Sequence, residues 1–136
     1  MAVFDTGVLF AALDRTDSRH RECATLLTGP GGGVIVPEPV VVEIDWLARS
    51  RAIPAATVTF LESIARGECV LCRLAVDDYE RVSHLLTRYR DLGLSFVDAT
   101  VVAVAERLGE NVVATLDRRH FSVVKPLHCE AFTLVP

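Results

Sequence analysis

Lysine is nearly absent from this chain: of its 14 basic residues, Lys125 is the one lysine. The net charge of -4 excludes a protein that coats nucleic acid by bulk charge, so any contact with a polyanion has to be local. Arginine supplies the remaining positive charge. Its planar fork suits phosphate and carboxylate pairing, although a genome rich in arginine codons would leave the same bias. Long apolar runs are missing too. Hydrophobic residues make up 51% of the chain, yet runs such as Val40-Val41-Val42 and Val101-Val102-Ala103-Val104 are short and bounded by charge, which excludes a membrane span. The first residues lack a basic region, and Asp5 interrupts the first apolar run, so the start does not read as a secretory signal. Cytoplasmic residence is the expectation. Cys69-Val70-Leu71-Cys72 has no second CxxC to complete a metal site. On a strand its two thiols would point to opposite faces, which argues against a shared ion. It opens no helix, as a redox pair would. The glycine run Gly29-Pro30-Gly31-Gly32-Gly33 lacks the lysine and hydroxyl residue of a phosphate loop.

What is present is an alternation of short apolar strands with helices across 136 residues, enough for a single domain spanning 1–136. Val3-Phe4 reads as a strand, Gly7 to Leu13 as a helix, and Arg19 to Leu27 as a second helix capped by Ser18. Val34-Ile35-Val36 is too apolar to alternate, as parallel strands tend to be. Helices follow from Val40 to Ser50 and from Pro54 to about Arg66. Cys69 to Leu74 reads as a strand, and Asp77 with Glu80 resembles a capping box opening the helix Asp78 to Arg90. Ser95 caps the helix Phe96 to Leu108, which Gly109 stops. Val112 to Thr115 is a strand, Asp117-Arg118-Arg119 a turn, and Phe132-Thr133-Leu134 a last strand. This order implies an α/β fold with a mainly parallel sheet, whose ligands bind beyond the carboxyl ends of the strands.

Carboxylates stand at those ends. Asp5 follows the first strand, and Asp117 stands just past the strand that begins at Val112. They come together only if those two strands are neighbours. Glu43 lies on a helical face with Pro39, Val40, Trp46 and Leu47, where a glutamate must reach water or meet a cation. Asp45 has Arg49 four residues on and reads as a surface pair, outside the site. Asp98 stands three residues after Ser95 and can cap its helix. Each acid has a local explanation: a turn at Asp5, a cap at Asp98, a turn at Asp117. Four acids on one rim would nevertheless resist ionising together. A divalent ion removes that penalty, and oxygen ligands select magnesium or manganese over zinc. Such a site can activate water and stabilise the leaving oxygen of a phosphodiester.

The segments VFDTGVLFAAL, PEPVVVEI and LSFVDATVVAVAERLG…VATLDRRHF carry these acids in an order that resembles the PIN-domain ribonucleases, and among them the VapC toxins of type II toxin–antitoxin systems. The resemblance runs from Val3 to Phe121. It implies a PIN-like three-layer α/β/α fold and a Mg2+- or Mn2+-dependent endoribonuclease with Asp5, Glu43, Asp98 and Asp117 as its acidic quartet. Asp5 and Asp98 would be the direct ligands, with Thr6 and Thr115 orienting carboxylates or water. It also implies an RNA substrate, a homodimer, and a VapB-type antitoxin whose C-terminal segment covers the site. Arg15, Arg118 and Arg119 are candidate phosphate contacts, and His120 reads as a bystander. A phosphatase of the haloacid-dehalogenase type would want an aspartate where Gly7 stands, and a receiver domain would want adjacent acids after the first strand. The alternative to catalysis is a PIN fold kept as an RNA-binding or scaffold module.

Overall fold

The computed structural model describes residues 1–30 and 32–136; Gly31, within the glycine run expected to stop the second helix, lies outside the described residues. Strands β1 (Ala2–Phe4), β2 (Val34–Pro37), β3 (Val70–Cys72), β4 (Val112–Ala114) and β5 (Thr133–Val135) form one sheet in the order β3-β2-β1-β4-β5. Every pairing is parallel, and Val3 of β1 sits between Ile35 of β2 and Val113 of β4. These strands are short and rich in valine, and β1, β2 and β4 are almost wholly buried because helices cover both faces.

The helices are α1 (Thr6–Leu13), α2 (His20–Thr28), α3 (Glu38–Ser50), α4 (Ala55–Ala65), α5 (Val76–Arg88), α6 (Phe96–Leu108) and α7 (Arg118–Val123). Parallel crossovers are right-handed as a rule, which from β1 through β2 to β3 places α1 to α4, packed on one another, on one face. The chain then returns across the sheet to β4 and β5, so α5 to α7 cover the other face and complete three α/β/α layers. In α6 the seven consecutive residues Ala99 to Ala105 are all buried, because the helix lies between the sheet and α5. Gly109 ends α6 in the left-handed region at φ 70°, where a side chain would be strained. Two ion pairs tie α5 to α6. Arg81 grips Glu106 with two donors at 2.7 and 2.8 Å, and Arg107 Nε lies 2.9 Å from the buried Asp78 carboxylate.

Local chemistry differs from expectation in four places. Ser18 does not cap α2; the Asp17 carboxylate accepts instead from Arg19 N at 2.8 Å, just ahead of the helix. The acid that closes the start of α5 is Asp78, accepting from Ala75 N at 2.8 Å, rather than the pair Asp77 and Glu80, so the helix begins earlier, at Val76. The strand expected over Cys69 to Leu74 pairs only over Val70–Cys72. Arg118 to Val123 is a helical turn and a half rather than a loop. The thiol reading holds. All four cysteines are free; Cys69 lines a cavity with α1, α2 and α4, whereas Cys72 Sγ accepts from Arg107 of α6 on the other face. No helix among the described residues is long and apolar enough to cross a membrane.

Candidate active site

Asp5 is the first residue past β1, and its N–H donates to Ala114 O of β4 at 2.9 Å. The strand adjacency that a common rim requires is therefore present. The Asp5 side chain is only 6% exposed. Its Oδ1 accepts from Thr6 N at 2.7 Å and its Oδ2 from Thr115 Oγ1 at 2.9 Å. The same Thr115 hydroxyl accepts from Asp117 N at 2.9 Å, so one buried oxygen joins the two strand ends. Burial first, then the negative charges of Asp98 and Glu43, push the Asp5 carboxyl from 3.8 up to about 7, against both hydrogen bonds.

Asp98 enters from the start of α6. Its carboxylate accepts from Ser95 N at 3.2 Å while Asp98 N donates to Ser95 Oγ at 3.1 Å, a reciprocal cap that fixes the side chain. Glu43 is half-buried on α3, beside an open groove of about 510 Å³ formed with Pro39, Val42, Trp46, Leu47, Phe96 and Val97. Of the apolar neighbours read from its helical spacing, Pro39, Trp46 and Leu47 line that groove, whereas Val40 is buried in the core. Asp45 stays outside, paired with Arg49 Nε at 2.9 Å and Thr57 Oγ1 at 3.1 Å.

Asp117 caps α7, accepting from His120 N at 3.2 Å. That short helix brings in His120, which the sequence reading had set aside. His120 Nδ1 lies 2.7 Å from Asp117 Oδ2 and 3.3 Å from Asp98 Oδ2, close enough to pair but off the line of a hydrogen bond. Single donor atoms of Asp98, Asp117 and His120 all fall within 4.8 Å of one another. A signal was there to be read: Asp117 and His120 stand three apart, on one face if Arg118 opens a helix.

The candidate phosphate contacts fare differently. Arg118 donates to Leu134 O at 3.4 Å and to Pro136 O, which turns it toward β5. Arg15 and Arg119 are exposed and, among the described residues, form no ion pair.

An acidic rim at the carboxyl ends of adjacent central strands, closed by a capped helix start, fits a hard divalent ion. The donor set is mainly carboxylate oxygen, and the charged form of Asp5 is penalised when no cation is near. Two buried polar atoms beside the acids, Thr6 Oγ1 and His120 Nδ1, have no hydrogen-bond partner among the described residues.

The sequence profile of the PIN domain family matches residues 2–126. The chain belongs to the PIN-domain family. Ribonuclease VapC26 of Mycobacterium tuberculosis is 29% identical over 134 residues, covering 98% of this chain and 99% of the relative. Among solved structures, VapC20 of Mycobacterium tuberculosis, described as a sarcin–ricin-loop-cleaving toxin, superposes with a TM-score of 0.78 at 24% identity over 87% of this chain and 91% of that one. A toxin–antitoxin complex from Klebsiella pneumoniae matches with a TM-score of 0.66 at 21% identity, covering 91% of this chain and 92% of the other. The PIN fold expected from the sequence is the fold observed.

Proposed function

We propose that this PIN domain is the toxin of a type II toxin–antitoxin pair, an endoribonuclease that uses Mg2+ or Mn2+ held by Asp5, Glu43, Asp98 and Asp117. One observation carries the reading. Asp5, held by Thr115 across the β1–β4 boundary, is a buried carboxyl raised to about 7 by burial and by Asp98 and Glu43, so the rim is built for a cation. The full-length likeness to the ribonuclease VapC26 supports the RNA substrate.

When bound, a divalent ion supplies the Lewis acidity that lowers the pKa of water and offsets charge on a leaving oxygen. The chain's own residues do the rest. Thr115 holds Asp5 and Asp117 in fixed relation through one hydroxyl. Ser95 fixes Asp98 by the reciprocal cap, so the α6 dipole and Asp98 face the same point. Thr6 presents a free hydroxyl beside Asp5. Arg15 and Arg119 are free to position phosphates; Arg118 is engaged with the C-terminal strand, which weakens its candidacy.

The likeness to a toxin–antitoxin complex supports a VapB-type antitoxin as partner. The groove beside Glu43 gives such a segment an apolar path to the acids. Homodimerisation, cytoplasmic residence and a single-domain organisation belong to the same proposal.

The test is purification free of antitoxin, incubation with structured RNAs with and without Mg2+ or Mn2+, and repetition with Asp98→Asn. Metal-dependent cleavage that the substitution abolishes is expected. Cleavage surviving both metal removal and the substitution would overturn the proposal.

A further inference from the structure

We propose that His120 is a metal donor through Nδ1, so that Asp98, Asp117 and His120 form a mixed oxygen–nitrogen subsite selecting a first-row divalent ion such as Mn2+ over Mg2+. The inference rests on the metal-site reading above and deepens it.

Three observations converge. Donors about 2.1 Å from one ion stand at most ~4.2 Å apart. The donor atoms of Asp98, Asp117 and His120 already lie within 4.8 Å of one another, so a sub-ångström closure suffices. Next, the imidazole has its orientation and tautomer set from behind. Nε2 lies 3.1 Å from Leu92 O, and a carbonyl can only accept, so Nε2 carries a proton and the neutral ring presents its lone pair at Nδ1. A histidine that donates its distal N–H to a backbone carbonyl is the usual second-shell arrangement of a metal ligand. Finally, that lone pair is buried and faces two carboxylates without an aligned hydrogen bond. A nitrogen lone pair against two anions is unfavourable unless a proton or a metal cation stands between them.

Folding supplies this geometry through α7. Asp117 caps the helix, and Phe121, 1% exposed, pins the turn that carries His120. Asp98 is the shared member of the rim. On one side it faces the buried Asp5, and on the other it faces Asp117 and His120. The Asp5 side is all oxygen and suits Mg2+ or Mn2+ alike. The His120 side offers imidazole, which first-row transition ions accept and Mg2+ disfavours.

The experiment is Mn2+ titration of the intact chain by electron paramagnetic resonance, with pulsed measurement of nitrogen coupling, beside Mg2+ competition. Wild type is expected to show nitrogen coupling to bound Mn2+. His120→Ala is expected to lose that coupling and about tenfold in Mn2+ affinity while Mg2+ affinity changes little. His120→Asn, which keeps an oxygen donor in place, is expected to retain Mn2+ without the coupling and to narrow the Mn2+ over Mg2+ preference. Mn2+ bound by wild type without nitrogen coupling overturns the inference and leaves the carboxylate site standing. No Mn2+ binding by folded wild type overturns both.

Discussion

Asp5 is held where its charged form is disfavoured, with a folded pKa of about 7 against 3.8 for an unperturbed aspartate. In the absence of metal the folded state therefore binds more protons than the unfolded state between those values. Its contribution to stability falls as pH rises from about 4 to about 7 and stays low above that. In chelator, Asp5→Asn is expected to flatten that part of the melting-temperature profile relative to wild type. An unchanged slope across the interval would remove Asp5 as the cause. Thr115 acts on the same carboxylate. Thr115→Val keeps the shape but strips a hydroxyl that serves both Asp5 and Asp117, at about 1–2 kcal/mol of stability. Cleavage should drop with Val and survive with Ser, as single-turnover rates would show. The four acids could be proposed from the sequence because Asp5, Asp98 and Asp117 stand at a strand end or helix start, and Glu43 interrupts an apolar helical face. The bridging role of Thr115 was not, since it depends on a contact between residues 110 positions apart.

At the scale of elements, α7 shows what a pattern reading loses. Six residues are too few for a helical period to declare itself, and Asp117-Arg118-Arg119 looks like a turn by composition. The one usable signal is the capping aspartate with His120 three residues on. At α5, two adjacent acids compete to close the helix; Asp78 wins because its carboxylate also meets Arg107. Arg107→Ala leaves that carboxylate buried with only Ala75 N as a partner, an expected loss of about 2 kcal/mol. Adding Asp78→Ala should cost less than the sum of the two single changes, measured by urea denaturation as a double-mutant cycle. Strict additivity would mean that the pair contributes nothing.

For the whole molecule, the strand order brings Asp5 and Asp117 to adjacent strand ends. The sequence showed the alternation of strands and helices, and with it an α/β class, but periodicity within a segment says nothing about which strands become neighbours. The order β3-β2-β1-β4-β5 arises because the chain returns across the sheet after β3, and α5 and α6, packed on each other, span that return. The groove between α3 and α6 is also a product of the assembled layers. Its wall carries Trp46, the one tryptophan of the chain, 66% exposed. An antitoxin segment seated there should blue-shift the tryptophan emission, and Trp46→Ala should weaken that partner's binding by more than about tenfold while leaving RNA cleavage unchanged. Emission that does not move on complex formation would place the partner elsewhere.

The bond from Thr115 to Asp5 has a consequence in time as well as in space. Asp5 is made 110 residues before the hydroxyl that orients it. Throughout that interval β1 lacks one of its two neighbours and the rim lacks one of its sides. A ribosome that stops short of β4 releases a chain carrying Asp5, Glu43 and Asp98 but lacking Thr115 and Asp117. Such fragments are expected to leave growth unaffected when expressed without antitoxin, while the full chain arrests it. On the function proposed above, the rim is complete only after β4 has been made, which leaves a co-expressed antitoxin that interval in which to be in place.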